Sequence, residues 1–211
     1  MAALASAEAL SSAASGAQNP TEVLYLVALH FIDSFLSLLS TSVTTDDHIT
    51  HTSKLSSGST IGKHARHLAD HYRLLLDGTS RAAAASSSSP IEFSYDVRSR
   101  NLAAETSHAA CVESFEQLRA QLAVVTREGH GVDPEHAVRL HATTPFEVEV
   151  GSSFARELWF ASFHAVHHFA LIRVIATEQG IEVPPEFGVA PSTLVHRKES
   201  DESSAHKGSK L

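Results

Sequence analysis

The sequence is short of thiols: among 211 residues there is one cysteine, Cys111. A lone cysteine excludes internal disulfides and any thiolate zinc cluster. Its setting among Ala110, Val112 and Phe115 suggests a buried, inert thiol. No apolar run approaches about 18 residues, so no membrane-spanning helix and no membrane partner are expected. Cations are scarce as well. Sixteen Lys and Arg against 24 Asp and Glu give a formal net charge of −8, which argues against nucleic acid as a partner. The first sixteen residues lack Arg, a basic leading region and a solid apolar stretch. Neither a secretory signal nor a transit peptide is therefore expected there. No internal repeat is visible.

What the chain does have is a hydrophobic fraction of 43%, enough for a real core and incompatible with wholesale disorder. The length suits one domain. It also has 15 histidines, several-fold more than ordinary composition. With one thiol present, any metal chemistry must come from imidazoles and carboxylates.

Both ends read as disordered. Residues 1–18 form an Ala/Ser-rich arm. After Pro191 the chain turns polar, and 196–211 is expected to be a solvated tail. That tail stops at Ser209, Lys210 and Leu211. A terminal S-K-L is the peroxisomal address. It implies synthesis in the cytosol, a peroxisomal import receptor as partner, and a peroxisomal location. A third soft stretch, Ser80 to Pro90, reads as a loop insertion.

Residues 19–195 carry four segments of helical periodicity. The first runs from Asn19–Pro20 to Ser40, with Asn19 as cap and Pro20 in the first helical position. Its Val23, Leu24, Val27, Phe31, Phe35 and Leu38 fall at helical spacing. The second runs from Thr60 to Leu76, with Ser59 as cap and Gly78 as stop. The third runs from Ser99 to Arg127 and ends at Gly129; the fourth runs from Ser152 or Ser153 to Glu178 and ends at Gly180. Between the last two, Val138, Leu140 and Ala142 alternate, then Phe146, Val148 and Val150, around Thr144–Pro145. This spacing predicts a short β-hairpin. The expected fold is therefore all-α, a four-helix bundle with a small hairpin between the third and fourth helices.

The fourth helix holds His164 and His168 at i and i+4, on one face and within reach of one metal ion. Its neighbours Trp159, Phe160, Phe163, Val166, Phe169 and Ile172 make it apolar almost all round, the mark of a buried helix. Trp159 and Phe160 are read as core. Buried imidazoles need partners, and a metal would supply them. The second helix holds His64, His67 and His71 on one face. One of these three with His164 and His168 would complete a three-ligand site with an open position, the catalytic arrangement. His167 can replace His168 at i+3. His64, His71 and His167 stay open as alternates.

Two stretches resemble the DinB-like (YfiT-like) metal-binding four-helix bundles. Ser59-Thr60-Ile61-Gly62-Lys63-His64-Ala65-Arg66-His67-Leu68 is similar to the S-x-G-x-x-x-x-H pattern opening that family's second helix. His164-Ala165-Val166-His167-His168, followed by Phe169-Ala170-Leu171-Ile172, is similar to its fourth-helix H-x-x-x-H. The resemblance covers roughly residues 20–195. It implies His67, His164 and His168 as the metal triad. Tyr95-Asp96-Val97-Arg98-Ser99-Arg100, Ser153-Phe154-Ala155-Arg156-Glu157-Leu158 and Phe187-Gly188-Val189-Ala190-Pro191 look closer to a branch of that family without an assigned reaction. Family members of known activity include thiol-dependent S-transferases and a maleylpyruvate isomerase, which use low-molecular-weight thiols.

Further residues can line such a site. Arg98 and Arg100 are expected near the start of the third helix, where cations oppose the macrodipole. They are candidates to bind the acidic end of a substrate, or else to pair with Glu92, Asp96 or Glu105. Glu157 is seven residues before His164, about 10 Å along the axis. That is too far for the same metal, and leaves a substrate-binding or structural role. Asp70 can orient a ligand imidazole. The expected function is a metal-dependent transferase or hydrolase that activates a thiol or water, with zinc and nickel both fitting three histidines. The competing readings are a non-catalytic metal-binding module and a structural or partner-binding helical bundle.

Overall fold

The computed structural model describes residues 20–197, apart from 57, 86–87, 98, 101, 129–131 and 144. Asn19, Gly129, Thr144, the N-terminal arm and the tripeptide Ser209, Lys210 and Leu211 lie outside the described residues. Helix dominates, with a small sheet beside it. Helix α1 spans Pro20–Thr41, α2 Asp46–Thr50 and α3 Ile61–Ala85. Strand β1 (Ile91–Phe93) and a 3-10 turn (Ala103–Glu105) precede α4 (His108–Glu128). Strands β2 (Ala137–Ala142) and β3 (Val148–Ser153) then lead into α5 (Phe154–Glu178).

The first and last long helices span the predicted residues, but in α1 the expected Val23, Leu24, Val27 and Phe31 are only half-buried. Residues Tyr25, Ala28, Ile32, Phe35 and Leu39 give α1 its buried stripe at spacings of three and four. Ser153 caps α5, its hydroxyl accepting from the Arg156 N–H. The cap of α3 is Thr60 rather than Ser59: its Oγ1 accepts from the Lys63 N–H at 3.1 Å.

Two helix boundaries differ from expectation. Helix α3 does not stop at Gly78 but continues to Ala85 and absorbs the start of the expected loop insertion. Gly78 serves close packing: a Cβ there would lie 2.9 Å from Cγ2 of Ile91 on β1. Helix α4 starts at His108, not Ser99. The chain before it folds as the 3-10 turn, pressed so tightly on α3 that a Cβ at Gly62 would sit 2.1 Å from the Glu105 carbonyl oxygen. Arg66 clamps this turn through Glu105 at 2.9 Å. The α4 start is held by Asp46, whose Oδ1 accepts from the His108 N–H at 2.7 Å.

The hairpin is present, β2 pairing antiparallel with β3 and placing Leu140 opposite Val150. Strand β1 adds to it in parallel, Ile91 opposite Val138. At the far end, residues 191–197 are helical and mostly exposed.

Helix α1 packs on α4 and α5, and α3 packs on α5 and α4. At the centre, the Phe35 ring lies 4.5 Å from Phe115 and 5.9 Å from Phe169. Each such side chain stabilises the fold by about 1.5–3 kcal/mol on burial. After α5 the chain folds back and stacks Phe187 on Phe169 at 4.3 Å. Gly188 permits this with a φ of +71°, in a place where a Cβ would meet the Ala170 nitrogen at 2.7 Å. The segments Glu22–Thr41 and Phe154–Glu178 are long and apolar enough to cross a membrane by length and composition. Neither is an unbroken apolar run, because scattered polar residues interrupt both. Both helices give side chains to the core just described.

Candidate metal centre

The packing of α3 on α5 sets two histidine rows against each other. Ligand nitrogens of His67, His164 and His168 all lie within 4.8 Å of one another. The Nε2 atoms of His164 and His168 are 2.9 Å apart, and those of His164 and His67 are 3.5 Å apart. His168 is buried, while His67 and His164 are half-buried, so the cluster opens on one side.

The donor set fits a divalent ion. At the metal–nitrogen distance of about 2.0–2.1 Å, two imidazoles on one tetrahedral zinc sit roughly 3.3 Å apart. The 2.9 and 3.5 Å separations bracket that value. Burial, together with neighbouring imidazoles, also keeps the His164 and His168 rings uncharged. His164 is pushed down to about 4 by burial, then by His71 and His167. His168 is pushed lower still, first by burial and then by His164, His67, His64 and His167. Neutral imidazole is the ligating form.

The three alternates take other places. His71 is buried, and its Nδ1–H donates to the His67 carbonyl at 2.9 Å. Its ring stacks on His164 at 4.5 Å. His64 stands behind His168, their Nδ1 atoms 2.8 Å apart, and burial lowers its pKa to about 4, with His167 adding to the effect. His167 is exposed at the rim.

The proposed substrate residues fare differently. Arg98 lies outside the described residues. Arg100 is exposed in the connection before the 3-10 turn. Because α4 begins later, Arg100 does not sit at its start. Glu157 is 4% exposed and has both oxygens engaged: Tyr95 donates to Oε2 at 3.0 Å and Ser152 to Oε1 at 2.6 Å. It is therefore an anchor for Tyr95 and β3 rather than an open substrate group. Asp70 is engaged by two arginines. It binds Arg66 at 2.8 Å and Arg73 at 3.8 Å.

The sequence reading gave Tyr95 no role in the site. Its ring stacks on His71 at 4.6 Å, and burial and Glu157 push its phenol far above the usual range. Only its place in the Tyr-Asp-Val-Arg stretch hinted at it. Phe160 stacks on His164 at 5.5 Å, with the Arg156 guanidinium 5.3 Å above its ring. Trp159 is not core. It is 47% exposed and stacks on Phe163, itself 55% exposed, so α5 keeps one face open. Cys111 is buried as expected, and burial raises its pKa to about 12.

No family model matches the chain, and no solved structure matches it. A curated FK506-binding protein 5 of Rhizopus delemar is 36% identical over 104 residues. The aligned stretch is 49% of this chain and 27% of that protein. The chain thus spans about a quarter of the length of this relative.

Proposed function

We propose that the chain is a DinB-like metal-binding four-helix bundle that uses His67, His164 and His168 to hold zinc or nickel. One observation carries this reading: imidazoles from two packed helices bring their nitrogens within 4.8 Å of one another. The four long helices and the hairpin between the last two support the same family resemblance.

In this reading the protein is an enzyme acting on a small molecule, with a low-molecular-weight thiol as the favoured cosubstrate. His67, His164 and His168 would hold the metal, which would supply the Lewis acidity that lowers the pKa of a thiol or water. The protein does the rest. Burial keeps the His164 and His168 rings neutral and their lone pairs available. His71 props His164 by stacking, and its Nδ1–H is held by the His67 carbonyl. Tyr95, fixed by Glu157, closes the wall behind His71. Phe160 supplies an apolar flank beside His164. Arg98 and Arg100 remain candidates for an acidic substrate group. The terminal Ser209, Lys210 and Leu211 would direct the protein, through an import receptor, to the peroxisome.

Metal analysis of purified protein tests the site. A stoichiometric divalent metal is expected, lost in His67→Ala, His164→Ala and His168→Ala. Metal content unchanged in His164→Ala would defeat the assignment. Turnover against a panel of thiol and ester substrates then separates the enzyme from a non-catalytic module.

A further inference from the structure

We infer that His64 is a positioning residue for His168, accepting the proton on its Nδ1 and so fixing the tautomer that presents Nε2 to the ion. The inference rests on the three-histidine reading above.

His168 has two ring nitrogens with different neighbours. Nε2 faces His164 Nε2 at 2.9 Å, and Nδ1 faces His64 Nδ1 at 2.8 Å. Two imidazole nitrogens that close must hold a proton or a cation between them, since two lone pairs or two N–H groups would repel; in the three-histidine reading the Nε2 pair shares the ion, which leaves the proton for the Nδ1 pair. A histidine that ligates through Nε2 carries its proton on Nδ1. The bond therefore runs from His168 to His64. His64 must then keep its own proton on Nε2.

That second nitrogen is the telling one. His64 Nε2 is buried and has no hydrogen-bond partner. A side chain needed only to fill space would be apolar, and would avoid stranding a polar atom. The stranded nitrogen is accounted for by the work of the other one. The same geometry removes His64 from the ligand set, because its engaged nitrogen lies on the far side of the His168 ring from the triad. His64 and His67 also share α3 while His168 belongs to α5. The helix that donates one ligand thus orients another ligand on the facing helix.

The test uses the full chain loaded with zinc and labelled with 15N at histidine. In the wild type, a scalar coupling through the hydrogen bond should link the two Nδ1 atoms, with the proton on His168. His64→Leu should abolish the coupling and weaken zinc binding by about 10–100-fold. His64→Asn, whose side-chain oxygen reaches the place of Nδ1, should restore most of the affinity. No coupling in the zinc-loaded wild type overturns the inference. So does wild-type affinity in His64→Leu, or a His64→Asn no better than His64→Leu. If circular dichroism shows His64→Leu unfolded, the coupling and His64→Asn decide. A wild type that binds no zinc, or a His168→Ala that binds it unimpaired, instead brings down the three-histidine reading itself.

Discussion

The Tyr95 hydroxyl donates a 3.0 Å hydrogen bond to Glu157, joining the chain after β1 to the first turn of α5. Glu157 is 4% exposed, so removing this donor leaves a buried carboxylate short of a partner. Tyr95→Phe should cost about 1–3 kcal/mol, read as a lower urea midpoint. Its ring still covers His71, so the metal content should stay near that of the wild type.

Metal removal should destabilise the fold. An ion that binds only the folded chain adds about 2.7 kcal/mol when present at a hundredfold excess over its Kd. Chelation should lower the melting temperature, and zinc should restore it. His167→Ala, at the exposed rim, should behave as the wild type in this assay. His164→Ala should show no response to chelator.

Acid should weaken the metal-free protein for a stated reason. His64 and His164 stand near 4 in the fold, against an ordinary value of 6.5. Between those values the unfolded chain binds protons that the folded chain refuses. Their stabilising contribution is complete above pH 6.5 and is lost as pH falls through 4. Urea titrations across that range check the slope. A stability independent of pH there would contradict it.

Gly62→Ala tests the seat of the 3-10 turn. The added Cβ would lie 2.1 Å from the Glu105 carbonyl oxygen, which is backbone and cannot swing aside. A loss of about 1–3 kcal/mol is expected. Gly151→Ala is the control, since a Cβ there meets nothing within 4 Å.

Helices α1 and α5 were legible because periodicity over more than twenty residues leaves little freedom, and Ser153 marked the second start. Gly78 misled because a glycine that admits a neighbouring strand looks like one that ends a helix. Strand β1 was illegible for a simpler reason: three residues are too few to carry a period. In the site, the His164 and His168 pair could be read from spacing alone. The choice among His64, His67 and His71 could not. His64 and His71 point in nearly the same direction but lie about 10 Å apart along the axis. Which of the three brings a nitrogen to the His164 and His168 Nε2 pair depends on how far one helix has slid along the other, and that is set by packing between the two, such as Tyr72 against Ser162. Likewise, Arg100 is outside any helix, because the helix expected from Ser99 starts only at His108.

Ser153 ends β3 and caps α5 in the same residue, with no linker between strand and helix. The hairpin is therefore a rotational stop for the helix that carries His164 and His168. One residue inserted between Ser153 and Phe154 would turn both rings by about 100° and swing them off α3. The same insertion beside Phe146, at the exposed hairpin tip, would lengthen a loop and leave their angle untouched. The tip can vary in length, while the strand–helix junction sets the aim of the two histidines.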